Sequence, residues 1–196
     1  MVLPEKTAVG TPLKNIFDVS EDNIFEIGLT PNRCDAMGHY GIARDLKAGL
    51  AAQGIKSTLK NTTPSIEFDD TVQKPIIDVQ NPKKTRRYAG VCIEGVHIAP
   101  SPKWLVSRLE TIGVNPINNV VDITNYILHD LGQPLHAFDL AKIKGRKIIV
   151  QNLDDKTNFT TLDGKRRKLH KDDLMICDGE NNPMCLAGIF GGEESG

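Results

Sequence analysis

The chain has 196 residues, 39% of them hydrophobic and 25% charged, with Lys+Arg 24 against Asp+Glu 25. That balance describes an ordinary globular protein and suggests no disordered tail. No apolar run approaches the ~18 residues a membrane-spanning helix needs, and an aromatic content of 5% argues against a surface that stacks many bases.

The length suits one sizeable core, or a small subdomain attached to a larger one. The N-terminal MVLPEKTAVGTPL lacks a basic start followed by a long apolar core, so a cytoplasmic location is expected. Cys34, Cys92, Cys177 and Cys185 include no pair at the spacing of a zinc knuckle or redox motif, and they read as reduced packing residues.

In chain order, 23–29 (NIFEIGL) alternates like a strand and is stopped by Thr30-Pro31-Asn32. A helix is expected next, with Asp35 as its cap and Met37, Ile42, Leu46 and Leu50 near helical spacing up to Gly54. The Thr-, Pro- and Asp-rich 56–74 reads as a connection. Strands are expected at 76–79 and 88–96. Ser101-Pro102 predicts a helix start, with Trp104, Leu105, Leu109 and Ile112 as its buried stripe and Gly113 as its end.

Asn118 or Asn119 can cap a further helix whose Val120, Val121, Thr124, Ile127, Leu128 and Leu131 share a face; Gly132 suits its left-handed end, and Pro134 prevents continuation. From residue 147 strands are expected at 147–151, 159–162, 168–169, 174–177 and 184–189, with Asp163-Gly164 as a hairpin turn. The terminal AGIFGGEESG leaves an apolar strand without a neighbour, which predicts an excised portion of a longer protein. The fold class expected is α+β: mixed or antiparallel sheets with a few packed helices, a small N-terminal strand-helix subdomain and a larger domain. Its boundaries are 1–58, a connection at 59–75, and 76–196.

The segment NNVVDITNYILHDLGQPLHAFD concentrates the candidate chemistry, because Thr124, Asn125 and His136 are polar groups among apolar neighbours. In Pro-Leu-His-Ala-Phe, the apolar neighbours are expected to exclude water from His136, so that any hydrogen bond to its ring gains weight. A structural histidine fits the same pattern. Asn125 can offer its amide to a ligand or fasten a loop. Gly188, Gly191 and Gly192 can admit a ligand to bare backbone or simply turn the chain; AGIFGG lacks the Gly-Lys-Ser/Thr ending of a phosphate loop. His129, Asp130, His136 and Asp139 form no recognisable metal geometry across the Gly-Gln-Pro break, so no metal site is expected. Two basic clusters, Lys83-Lys84-Thr85-Arg86-Arg87 and Lys165-Arg166-Arg167-Lys168, can contact RNA phosphates or serve solubility.

The blocks EIGLTPNRCDAMGHYGIARDL, RRYAGVCIEGVHIAPSPKWLVSRLETIGVNPINNVVDITNYILHDLGQPLHAFD and AGIFGGEESG closely resemble the beta subunit of bacterial phenylalanyl-tRNA synthetase. The resemblance runs from about Gly10 to the end. It implies that 1–58 is the end of the subunit's first domain and that 76–196 is its B3/B4-type editing module, truncated at the C-terminus. Such a module hydrolyses tyrosine wrongly esterified to tRNA(Phe), binding the tRNA acceptor end. The parent complex is an α2β2 heterotetramer whose alpha subunit attaches phenylalanine with ATP and Mg2+; no cofactor is implied for this portion. An apolar phenylalanine pocket cannot strongly reject an analogue that merely adds a hydroxyl, so a second sieve is needed.

By this resemblance Thr124, Asn125 and His136 match editing-site residues, and Gly188 and Gly191 match glycines that shape the same pocket. Asn125 would orient the amino acid or terminal adenosine, and His136 the ribose or the water. The family's glutamate, which reads the tyrosine hydroxyl, and a threonine match nothing before Gly196. Glu193 and Glu194 stand in the wrong motif position to replace that glutamate. Weak or absent deacylase activity is therefore expected of the isolated chain. The competing expectation is a non-catalytic RNA-binding or scaffold module on the same fold.

Overall fold

A computed structural model describes residues 3–17, 22–60 and 64–193, and Glu194 falls outside them. Its α+β architecture contains helices α1 (His39–Ala52), α2 (Lys103–Thr111) and α3 (Asn119–Leu131). The strands are β1 (Ile76–Val79), β2 (Lys147–Asn152), β3 (Asn158–Thr160), β4 (Arg166–Lys168), β5 (Leu174–Cys177), β6 (Pro183–Leu186) and β7 (Phe190–Gly191). A five-stranded sheet has the order β1-β2-β5-β6-β7, with β1 parallel to β2 and the other pairs antiparallel. β3 and β4 form a separate hairpin.

The central strands are apolar at consecutive positions because both faces of the sheet are covered. On one face Ile143, Ile148, Ile176, Met184 and Cys185 cluster with Tyr88, Phe138 and Leu140; on the other, Ile149, Met175 and Cys177 meet Phe159 and Leu169. Each such side chain fully buried contributes roughly 1.5–3 kcal/mol, so the sheet is the main source of cohesion here.

The helices form their own layer, in which α3 packs against both α1 and α2. Asn118 caps α3 as expected, its Oδ1 accepting from the backbone N–H groups of Val120 and Val121 at 3.0 Å each. Gly132, at φ 74, closes it in the left-handed conformation. The expected apolar stripe is only half-buried, and Leu131 is exposed; the fully buried α3 side chain is Asp122. Its carboxylate accepts from Ser101 Oγ at 2.5 Å and from Ile117 N–H at 2.8 Å, which accounts for a charge tolerated between α2 and α3. Ser101 is thereby drawn away from capping, and Pro102 occupies the cap position of α2.

Other expectations are corrected. The 23–29 segment is irregular, with Ile24, Phe25 and Ile27 exposed, because no described strand pairs with it. The N-terminal strand-helix unit therefore keeps its helix but not its strand. The 88–96 run is likewise unpaired, leaving Val91, Ile93 and Val96 exposed while Tyr88 packs inward. Gly38 rather than Asp35 occupies the cap position of α1; Asp35 lies in the preceding 3-10 turn, where Arg33 and Arg44 pair with it. Met37, Leu46, Trp104 and Ile112 are exposed instead of buried, although one edge of the Trp104 ring meets Tyr126 of α3 at a centroid distance of 5.5 Å. The 184–189 run divides into β6 and the turn before β7.

Candidate functional site

Gly132 ends α3, and Gln133-Pro134 carries the chain away from the helix axis into the loop that presents His136. The His136 ring comes to rest on Gly191. A β-carbon built at Gly191 would lie 2.9 Å from His136 Cε1, 3.4 Å from Nε2 and 2.8 Å from Leu162 Cδ1. Only a residue without a side chain admits an imidazole and an isobutyl group so close to the backbone. Gly191 is held there by β6, where it is the register partner of Cys185.

Phe138 braces the imidazole from the same loop, with ring centroids 4.4 Å apart and planes inclined at 65°. Phe138 in turn packs on the sheet cluster that contains Met184 and Cys185. Burial on this packed side pushes the His136 pKa below its usual value, favouring the neutral ring. The outer side of the residue remains exposed, and its ring nitrogens make no hydrogen bond to any described residue. A neutral imidazole with unspent hydrogen-bonding capacity can therefore face an incoming ligand.

Behind it, burial drives the Cys185 thiol up to about 11, so this sulfur stays protonated near neutrality and is no nucleophile. Tyr88 is raised for the same reason, with a further contribution from Cys185.

The α3 candidates have their own surroundings. Thr124 is half-buried and spends its hydroxyl on Val121 O at 2.7 Å, within its own helix. Asn125 is half-buried, and its amide has no hydrogen-bond partner among the described residues. The helix that carries both packs chiefly on α1 and α2, and neither side chain hydrogen-bonds to His136 or Gly191, which meet each other. Gly188 is in the turn between β6 and β7 at φ 71, and a β-carbon there would meet nothing within 4 Å. Its need is conformational rather than steric.

Gly192 faces the other way: a β-carbon would reach 2.8 Å from Phe159 Cε2. That side opens on a cavity of about 340 Å³ lined by Gly192, Phe159, Met184 and Asp178 among others, and none of Thr124, Asn125, His136, Gly188 or Gly191 borders it. Asp178 is satisfied by the N–H groups of Glu180 and Asn182 and by the Asn182 amide.

Of the basic clusters, Lys83–Arg87 follows β1, and Lys84 Nζ donates to Asp172 O at 2.6 Å. Lys165-Arg166-Arg167-Lys168 runs from the turn into β4. Among the described residues, no group of three or more His, Cys, Asp or Glu side chains could hold a metal ion.

Phe138 and Leu162 are absent from the candidates that the sequence suggests. The i, i+2 spacing of His136 and Phe138 in LHAFD is a legible sign of two rings on one side of an extended segment. Leu162 has no such sign, since only the pairing of the hairpin with β7 brings it to Gly191.

Residues 84–196 match the family model for the B3/4 domain. Along its whole length the chain is 47% identical to the phenylalanine--tRNA ligase beta subunit of Porphyromonas gingivalis. It is 48% identical to that of Bacteroides fragilis and 42% identical to that of Salinibacter ruber. In each case the match covers 100% of this chain and 24% of the relative, so the chain spans about a quarter of the length of these curated relatives.

Proposed function

This chain belongs to the B3/4 domain family, and from that premise we propose that it is the editing portion of a phenylalanine--tRNA ligase beta subunit, hydrolysing tyrosine esterified to tRNA(Phe). In this reading 1–58 ends the preceding domain, 59–75 connects, and 76–196 carries the site. The partners are the tRNA acceptor end and an alpha subunit in an α2β2 assembly, in the cytoplasm. ATP and Mg2+ serve the alpha subunit's ligase reaction. Nothing in this chain is assigned to them.

The observation that carries the reading is the imidazole of His136 over the bare α-carbon of Gly191. An ester brought to this point meets a neutral ring that can accept a hydrogen bond from water or from a ribose hydroxyl. The absent side chain leaves room for the carbonyl to approach the backbone. Fixing the water against the carbonyl supplies catalysis through orientation, without requiring the ring to remove a proton. Asn125, with its unspent amide, orients the amino acid or adenosine where the bound acceptor end spans from α3 to β7; Thr124 supports that helix surface.

His136→Ala in the complete α2β2 protein tests this. Clearance of Tyr-tRNA(Phe) should fall by about tenfold or more, while phenylalanine charging continues at the alpha subunit.

A second reading has one specific observation in its favour: Thr124 and Asn125 sit on a helix that packs chiefly against α1 and α2. There the chain is a non-catalytic RNA-binding or scaffold module. Unchanged clearance in the His136 and Asn125 alanine variants would select it.

A further inference from the structure

We propose that the β3–β4 hairpin guides the polynucleotide to the contact of His136 with Gly191, with Arg166 and Lys168 holding backbone phosphates of the strand whose terminal ester reaches His136. The proposal rests on the editing reading and deepens it. It names which basic residues act, and why those.

The hairpin is fastened directly to the site. Leu162 N–H donates to Gly191 O at 3.0 Å, Thr161 pairs with Gly192 in an antiparallel bridge, and Glu193 N–H donates to Thr160 O at 3.1 Å. Through these bonds the Leu162 side chain reaches Gly191 beside His136. Any chain of phosphates leaving an ester bound there passes along or away from this hairpin.

Strand geometry then divides the basic residues. Arg166 pairs with Thr160 and Lys168 with Asn158, so these two cations project from the same face of β4, opposite to that of Arg167. Arg167 is turned back: its Nε donates to Thr161 Oγ1 at 3.4 Å, and its Nη2 lies 3.9 Å from Asp163 Oδ2. Lys165 also pairs with Asp163, at 3.2 Å. Arg166 and Lys168 are exposed and make no ion pair or hydrogen bond with any described residue. Their charges are uncommitted.

Distance agrees with the assignment. With a rise of about 3.3 Å per residue and strands about 4.8 Å apart, the Arg166 backbone stands roughly 8 Å from that of Leu162, which meets Gly191. At about 3.4 Å per nucleotide in a stacked strand, that is about two to three nucleotides back from a 3′ end. By contrast Lys84, in the other cluster, is already engaged by Asp172, and no hydrogen bond among described residues ties that cluster to β7.

The test uses the complete α2β2 protein with the double substitution Arg166→Ala/Lys168→Ala and the charge-conserving Arg166→Lys/Lys168→Arg. Deacylation of Tyr-tRNA(Phe) is followed across a salt series, and protection of the 3′-strand phosphates from ethylation is read on uncharged tRNA. The alanine pair should raise KM about tenfold with little change in kcat, flatten log KM against log salt by about 0.7 for each phosphate no longer neutralised, and abolish the protection. The charge-conserving pair should restore all three. An unchanged salt slope with retained protection overturns the inference, as does a variant that only weakens subunit assembly, which would mark the hairpin as a protein contact. If His136→Ala shows that the editing reading is wrong, the ethylation pattern still decides for or against the hairpin by itself.

Discussion

The imidazole of His136 and the α-carbon of Gly191 meet so closely that a methyl group on the glycine would lie 2.9 Å from His136 Cε1. Helix α3 ends just before one partner, and the sheet edge contains the other. Their contact ties the loop to the sheet, together with the packing of Phe138 on the sheet cluster.

Gly191→Ala should therefore displace both His136 and Leu162, since the new β-carbon falls below 3.0 Å from each. Overpacking of this kind costs about 1–3 kcal/mol, and the tilt of the imidazole should reduce deacylation of Tyr-tRNA(Phe) by about tenfold or more. Gly188→Ala supplies the contrast. Its β-carbon meets nothing, and only the positive φ of 71 is strained, so it should lower stability by about 1 kcal/mol with a much smaller effect on turnover. Thermal melting and single-turnover deacylation of the two variants separate the effects.

His136 titrates below the ordinary histidine value of 6.5 because burial disfavours its charged form. Above 6.5 the ring is neutral in both folded and unfolded chains. As pH falls from 6.5 toward the lowered folded value, the unfolded chain takes up the proton first and stability declines. The acid limb of deacylation should thus lie below 6.5, and His136→Gln should remove it. NMR titration of the His136 ring, with the pH–rate profile alongside, checks the direction; a ring that titrates above 6.5 contradicts it.

Asp122 is completely buried and holds Ser101 and the backbone of Ile117. Asp122→Ala strands a hydroxyl and an N–H at the junction of α2 and α3, at a cost of about 1–3 kcal/mol for each group left unpaired. Asp122→Asn keeps an acceptor for Ile117 and should lose less. Denaturant unfolding measures both. An alanine variant as stable as the parent would show that water replaces the carboxylate there.

Local signals are legible wherever the chain supplies its own partner. Asn118 and Gly132 bracket α3 because capping and a left-handed closure are decided within one helical turn, and Asp163-Gly164 turns the β3–β4 hairpin for the same reason. The apolar runs of β2 and β5 announce buried strands. The 23–29 and 88–96 runs carry an equally good strand pattern but pair with no other described segment, and a strand is a relation between two segments.

The candidate site divides along the same line. His136 stands out in the sequence as a polar ring in an apolar setting, and the AGIFGG glycines stand out as bare backbone. That His136 lies on Gly191, that Gly192 faces a different cavity, and that Leu162 completes the contact follow from the register of β6 with β7 and from the bridge between Thr161 and Gly192. Short-range propensities are energies of a few residues and can be read from them alone. Which surfaces touch depends on how helices, hairpin and sheet share one interior, and only the folded chain determines that.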